Sequence, residues 1–421
     1  MMLLSLLLMQ AAPLATVDSP ALQSLEQRAG ASSTAKDGTI IVTGRRIADT
    51  EAELKACVAR KCSPDQDVAA TLAHAEALFL AGEYPESRRT LLAGTGRNRR
   101  HAAAYPIPVS RLYNGLSRLS SVLGWRDQAR LAAISGVDVL REGLSKGDER
   151  ILFQQLAVGD TYAREGRLEA ARDVYRAVAA RALAGGAAAA RTRALLNEAV
   201  LYTAAATRSP EYRVRAEQAM AAISATTDPA LQTLRDAMPY LAAQLAIRTG
   251  NTREAEAAIA MLGKQKGGVP ILVYNPPLDL WLQGDGRAGD HNLGTNASDR
   301  ALARRRDIVY DTRGQWADVG FWVEPDGSVR DVAVLRAGNN LWGRWVDTVT
   351  SLIGGRRYQP LDLPSDDPGV YKVERYSLVS DFGTRTGSRI QARTMIPSVE
   401  MVDLTVAVPT AAAKPVTIRA D

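Results

Sequence analysis

The sequence predicts an α+β chain, an α-hairpin solenoid followed by a small ββαβ domain, and three observations predict it. Gly82, Gly124 and Gly166 are separated by 42 residues each, and Gly250 stands 84 residues beyond Gly166. From Trp316 the apolar pattern changes from helical spacing to alternation. Five of the six tryptophans lie at position 281 or later, so composition shifts between the two parts.

Composition bounds the reading before any motif does. At roughly 150 residues per domain, 421 residues predict two to three domains. A content of 46% hydrophobic and 23% charged residues is that of an ordinary globular chain and excludes wholesale disorder. No apolar run reaches the roughly 18 residues of a membrane span, which excludes a multi-span protein. Two cysteines and three histidines exclude cysteine-rich zinc modules and most histidine chemistry. The net charge is +6, and 44 of the 52 basic residues are Arg. Arg suits bidentate phosphate contacts, but here it alternates with acid, as in Arg164-Glu165 and Arg167-Leu168-Glu169. Interleaving of this kind marks a solvated helix face, whereas a nucleic-acid binder concentrates its charge. No nucleic-acid partner is expected.

Residues 1–21 read as a signal peptide. Leu3 to Met9 is almost wholly apolar, and Gln10-Ala11-Ala12-Pro13 follows with small residues and a helix breaker. The chain is therefore expected in the periplasm of a Gram-negative envelope. Residues 22–66 read as a linker with a short strand, Thr39-Ile40-Ile41-Val42, and a helix. Cys57 and Cys62 are a candidate disulfide. Five residues apart, they diverge by about 140° round a continuous helix, so the bridge requires Ser63-Pro64 to end the helix and its last turn to unwind. Two free thiols are the alternative. Two isolated thiols cannot close a zinc site without other ligands, and no His lies nearby before His74, so a metal site is not expected.

Residues 67–266 carry the repeat. Five residues after each glycine stands a small side chain, Ser87, Ala129, Ala171 and Ala255. Nine after it stands an apolar one, Leu91, Ala133, Tyr175 and Ile259. A chain that turns on glycine and folds back as a second helix needs a small residue where the backbones approach, and an apolar residue one turn on. In the fourth unit Arg208-Ser209-Pro210 replaces the glycine, and Ala216 and Met220 supply the two positions after a shift of three. Leu156 to Tyr175, with Gly166 at its turn, resembles a tetratricopeptide repeat, and Ala75 to Tyr84 carries the same helix-turn signature. The resemblance implies helical hairpins stacked through their neighbours, with an extended face that binds peptides and performs no chemistry. Tyr84, Tyr162 and Tyr175 are expected in the core.

Residues 267–301 read as a linker. Within it Gly284-Asp-Gly286-Arg-Ala-Gly289 matches G-x-G-x-x-G without opening a helix, so it reads as a loop rather than a dinucleotide site. Residues 302–405 form the second domain. Val319, Phe321 and Val323 alternate up to Asp326-Gly327, and Val329, Val332 and Val334 follow, which is a hairpin signal. Leu341 to Ile353 has helical spacing, and Val370 to Val379 alternates again. The motif Val323-Glu-Pro-Asp326-Gly327-Ser-Val329 to Leu335, with Arg357-Tyr358-Gln-Pro360 behind the helix, resembles the TonB carboxyl-terminal domain. That resemblance implies a small sheet that accepts a strand from an outer-membrane receptor segment through main-chain hydrogen bonds. Departures are Arg336-Ala337-Gly338 after the hairpin and the lack of a long Pro-rich spacer. Gly387 to Thr405 is expected to add one strand, and residues 406–421 to be a disordered tail.

The sequence predicts a non-catalytic periplasmic scaffold whose partner is a protein or peptide. No cofactor, metal or small-molecule substrate is expected, and no catalytic residues are assigned. A TonB-type energy transducer and an envelope hydrolase acting through paired carboxylates are the alternatives.

Overall fold

The computed structural model describes residues 46–206, 209–250, 253, 263, 270–276, 314–339, 341, 344–364, 367–384 and 391–405. The expected signal peptide, the strand at 39–42, the loop at 284–289, Ala255, Ile259 and the tail at 406–421 lie outside them.

The chain is α+β. Ten α-helices are described before the first strand. They are α1 (Ile47–Ala59), α2 (Pro64–Leu80), α3 (Tyr84–Asn98), α4 (Pro106–Val122), α5 (Arg126–Gly143), α6 (Glu149–Arg164), α7 (Leu168–Ala184), α8 (Ala188–Ala205), α9 (Pro210–Ser224) and α10 (Gln232–Arg248). Each packs against its neighbours in sequence. Proline opens α2, α4 and α9, where its missing N–H costs nothing and its fixed φ suits the first turn. At the degenerate fourth turn Ser209 accepts from the Glu211 amide at 3.3 Å, so side-chain capping stands where glycine is missing.

The glycine turns share one geometry. Gly82, Gly124 and Gly166 have φ of 82°, 74° and 77°. In each the glycine amide bonds the carbonyl three residues back, and the next amide bonds the carbonyl five back, as in Gly82 to Phe79 (2.9 Å) and Glu83 to Leu78 (2.9 Å). This is the Schellman closure, which requires a left-handed residue and brings the side chains on either side of it together. Behind the turns Ser87, Ala129, Ala171 and Ala216 are buried, as are Leu91, Ala133, Tyr175 and Met220. The close approach is exact enough to be bonded: Ser87 donates to the Ala75 carbonyl and Ser117 to the Ala129 carbonyl, both at 2.7 Å. One period on, a Cβ at Gly159 would lie 2.5 Å from the Tyr175 ring.

Cys57 and Cys62 are bonded, with Cα atoms 5.3 Å apart. The mechanism differs from the expected one. Pro64 opens α2 rather than ending α1, and α1 stops at Ala59 because Lys61 adopts φ 52°. Cys62 N–H then bonds Cys57 O at 3.1 Å and Lys61 N–H bonds Val58 O at 3.2 Å. That is the same closure as at the glycines, and it places the two sulfurs side by side.

Two antiparallel sheets follow. One pairs β1 (Leu272–Tyr274) with β4 (Arg357–Tyr358). The segment read as a linker thus contributes a strand. The other contains β2 (Trp316–Val323), β3 (Val329–Ala337), β5 (Val370–Thr384) and β6 (Gln391–Asp403) in the order β3-β2-β5-β6. Helix α11 (Trp345–Gly354) lies between β3 and β4 in sequence; Leu341, expected within it, precedes it and is exposed. Val319, Phe321 and Val323 share a core with Val349, Ile353, Tyr358 and Met401.

Candidate functional site

The two stretches that carry the ββαβ motif meet in space. Gly327, at φ 82°, turns the hairpin between β2 and β3, and Asp326 accepts from the Ser328 amide at 2.8 Å. That bonding by Ser328 holds the Asp326 carboxyl below its usual range. The Tyr358 amide donates to the Gly327 carbonyl at 2.8 Å, and Leu361 N–H donates to Pro325 O at 2.8 Å. A Cβ at Gly327 would lie 2.1 Å from the Tyr358 carbonyl, so the turn admits only glycine for a second reason beyond its φ. Val329 packs on the core, and Pro360 is half-buried beside the junction.

Within Arg356-Arg357-Tyr358 the arginine that the motif names is not the buried one. Arg357 is exposed, whereas Arg356 is fully buried. Its guanidinium donates to Glu374 (2.7 Å), to the Tyr376 hydroxyl (2.7 Å) and to Asn275 (2.7 Å). The Tyr376 hydroxyl also donates to Glu374. Burial disfavours the cation, but Glu374 outweighs it and holds Arg356 charged. β1, β4 and β5 are therefore joined through one buried ion pair.

A second buried arginine joins the sheet to the helices. Arg375 on β5 donates to Asp318 on β2 at 2.6 and 3.0 Å, and to the Phe79 and Leu80 carbonyls at 2.5 and 2.7 Å. Those carbonyls end α2, where a helix leaves acceptors unpaired and its dipole favours a cation. The guanidinium stacks on Trp316, 4.1 Å from the ring centroid. Trp316 in turn packs against the helical core with Val68, Tyr84 and Leu91. A Cβ at Gly82 would lie 2.1 Å from its Nε1, so this repeat turn is also the socket for the sheet. Tyr84, expected in the core, is buried there, and its hydroxyl shares a 2.9 Å hydrogen bond with Ser377. Tyr175 is buried as well, while Tyr162 is half-buried under the guanidiniums of Arg130 and Arg167.

The seat continues along the turns. Glu400 on β6 faces a small gap of about 10 Å³ lined also by Ser121, Arg126, Thr161 and Arg164, which flank the Gly124 and Gly166 turns. Val402 packs into the helical core. Gly250 keeps the expected left-handed turn at φ 77° after α10. The sequence reading missed this seat. Its signal was legible at Asp318, which interrupts the otherwise apolar run from Trp316 to Val323, and such a charge is buried only when paired.

The sheet has two outer strands, β3 and β6. The near end of β6 lies against the helices, whereas β3 has no further strand beside it among the described residues. β3 carries two register irregularities, and Asp331 stands at φ 53°. Val334 is 44% exposed. On the adjoining face Trp322 packs between Tyr371 and the guanidinium of Arg330.

Among the described residues no group of three or more His, Cys, Asp or Glu is placed to hold a metal ion, and no helix is long and apolar enough to cross a membrane. No family model matches the chain, and no curated protein matches it. Among solved structures, BtubC (BKLC) from P. vanneervenii is similar over 55% of this chain and 96% of its own, at 15% identity and a TM-score of 0.38. A likeness of that size carries no functional argument.

Proposed function

We propose that the chain is a non-catalytic interaction scaffold of the periplasm, in which a tetratricopeptide-like array of helical hairpins supports a TonB carboxyl-terminal-like sheet that accepts an extended segment of a protein partner. The observation that carries this reading is the seat: Arg375, Asp318 and Trp316 fix the sheet on the first repeat turn, Arg336 of β3 also reaches Asp318 at 2.8 Å, and β3 stays an outer strand of the sheet. An unpaired strand edge is a template for another chain, since its amides and carbonyls lack partners. The irregularity at Asp331 and the register shift between Val334 and Arg336 break the edge into short runs and so make it selective. The Cys57–Cys62 bond supports an oxidising compartment.

Photo-crosslinking tests the reading. A benzoylphenylalanine at Val334 in cells that express the full chain is expected to give an adduct that maps to one extended segment of a partner protein. The same label at Arg150, exposed on α6, is expected to give none. Absence of an adduct at 334, or the same adducts at both positions, contradicts the proposal.

A further inference from the structure

A groove of about 600 Å³ runs between α7, α8 and α9, away from the residues that seat the sheet. Its volume falls in the range of ligand sites. Arg172, Arg176, Arg191 and Arg215 line it together with one carboxylate, Glu198, and the ring of Tyr202. The guanidinium of Arg215 lies 5.8 Å from the ring centroids of both Tyr202 and Tyr212, which stack at 6.4 Å and hold it in place.

The four guanidiniums already have partners. Arg172 pairs with Glu169 and Asp173, Arg176 with Glu198 at 2.7 Å, Arg191 with Asp228, and Arg215 with Glu169 at 2.9 Å and with Glu211. Their setting decides what those pairs are worth. Glu169, Asp173 and Glu211, the partners of Arg172 and Arg215, are 53%, 65% and 64% exposed and lie outside the groove lining, whereas Arg172 and Arg215 are only 24% and 31% exposed; Asp228, the partner of Arg191, is 33% exposed and holds that guanidinium more firmly. Pairs with solvated carboxylates contribute about 0–1 kcal/mol. Exchanging such a carboxylate for one on a ligand therefore costs little, while the planar fork keeps its bidentate geometry. Between the arginines the lining is apolar, with Leu195 and Ile223.

We propose that this groove binds an extended acidic peptide segment, with its carboxylates on Arg172 and Arg215 and an apolar side chain against Leu195 and Ile223. The apolar floor favours a peptide over a bare phosphate chain, which has nothing to place there. The proposal deepens the scaffold reading and rests on it, but at a site separate from the β3 edge.

Fluorescence anisotropy on the full chain tests it, with a fluorescein-labelled decapeptide of alternating glutamate and leucine. The expected result is saturable binding that weakens at least tenfold in an Arg172→Gln/Arg215→Gln variant and is unchanged in Arg344→Gln, whose guanidinium lies at the start of α11. A lysine–leucine decapeptide is expected not to bind. Circular dichroism checks that the double variant is folded; should it not be, the single Arg215→Gln variant, with its side chain 31% exposed, replaces it with an expected threefold or greater loss. No binding at millimolar protein, equal binding to wild type and variant, or full displacement by inorganic tripolyphosphate at the concentration that saturates the peptide would each overturn the proposal. Loss of the Val334 adduct with peptide binding intact would sink the strand-edge reading and leave the groove standing, and the converse result would do the opposite.

Discussion

Gly82 shows how one residue serves two constraints. Its φ of 82° is left-handed, and its Cα hydrogens face Trp316. Gly186 has φ 69° but nothing described within 4 Å of its Cβ position. Gly186→Ala is therefore expected to cost about 1–2 kcal/mol, the backbone term alone. Gly82→Ala is expected to cost about 1–3 kcal/mol more, because the ring it strikes is held by Arg375 and cannot swing away. Urea denaturation of the two variants measures the difference, and equal losses would remove Gly82 from the seat. Glu374 makes the same case for charge. Glu374→Gln strands the Arg356 cation in the core, and removing one partner of a buried pair typically costs about 3–5 kcal/mol. Glu51→Gln, whose Lys55 partner is solvated, is expected to leave the melting temperature unchanged. The sequence made Gly82 legible through its period, since a left-handed turn selects glycine. It hid Arg356, because two adjacent arginines read alike in sequence and only the second belongs to the two-residue strand β4.

At the scale of elements, α1 is held to α2 by few contacts besides packing. One is Thr50, whose hydroxyl shares a 3.0 Å hydrogen bond with His74 Nδ1, and both are buried. Burial pushes the His74 imidazolium down, below its usual range. With the folded value depressed, the unfolded chain takes up the proton first as pH falls. Stability from this contact is thus full above about pH 6.5 and is lost as pH drops through the folded value. Hydrogen exchange across Ile47–Ala59 is expected to quicken as pH falls below about 6.5 in the wild type, and to show less pH dependence in His74→Gln. A pH-independent wild type would contradict this. The Cys57–Cys62 bond acts on the same element: it closes a six-residue loop, for which chain entropy gives about 2 kcal/mol. The helices were legible because their period, caps and prolines are local. The disulfide was legible as a possibility, but not its geometry, since no local rule predicts Lys61 in a left-handed turn. β1 was invisible: three residues, Leu272–Tyr274, are too few for a periodic signal, and their partner strand lies more than 80 residues away.

At the scale of the molecule, the sequence reads as two domains with a linker between them, and the structure joins them. What periodicity cannot express is that residues near 80 meet residues near 316 and 375, because that contact depends on the return path of the whole chain. Its residues nonetheless fit one physical rule. A helix end supplies two carbonyls with acceptor capacity to spare, a strand supplies a buried guanidinium, and an aspartate on the next strand balances the charge. A partner strand at β3 would then be gripped by a sheet that cannot rock on its support.

Hydrogen-exchange mass spectrometry of Arg375→Ala against the wild type tests that central claim most directly. If array and sheet form one cooperative body, protection falls together in 79–84, 316–323 and 370–377, while 168–184 is unchanged. Loss confined to the strands, with the Gly82 turn as protected as before, would contradict it.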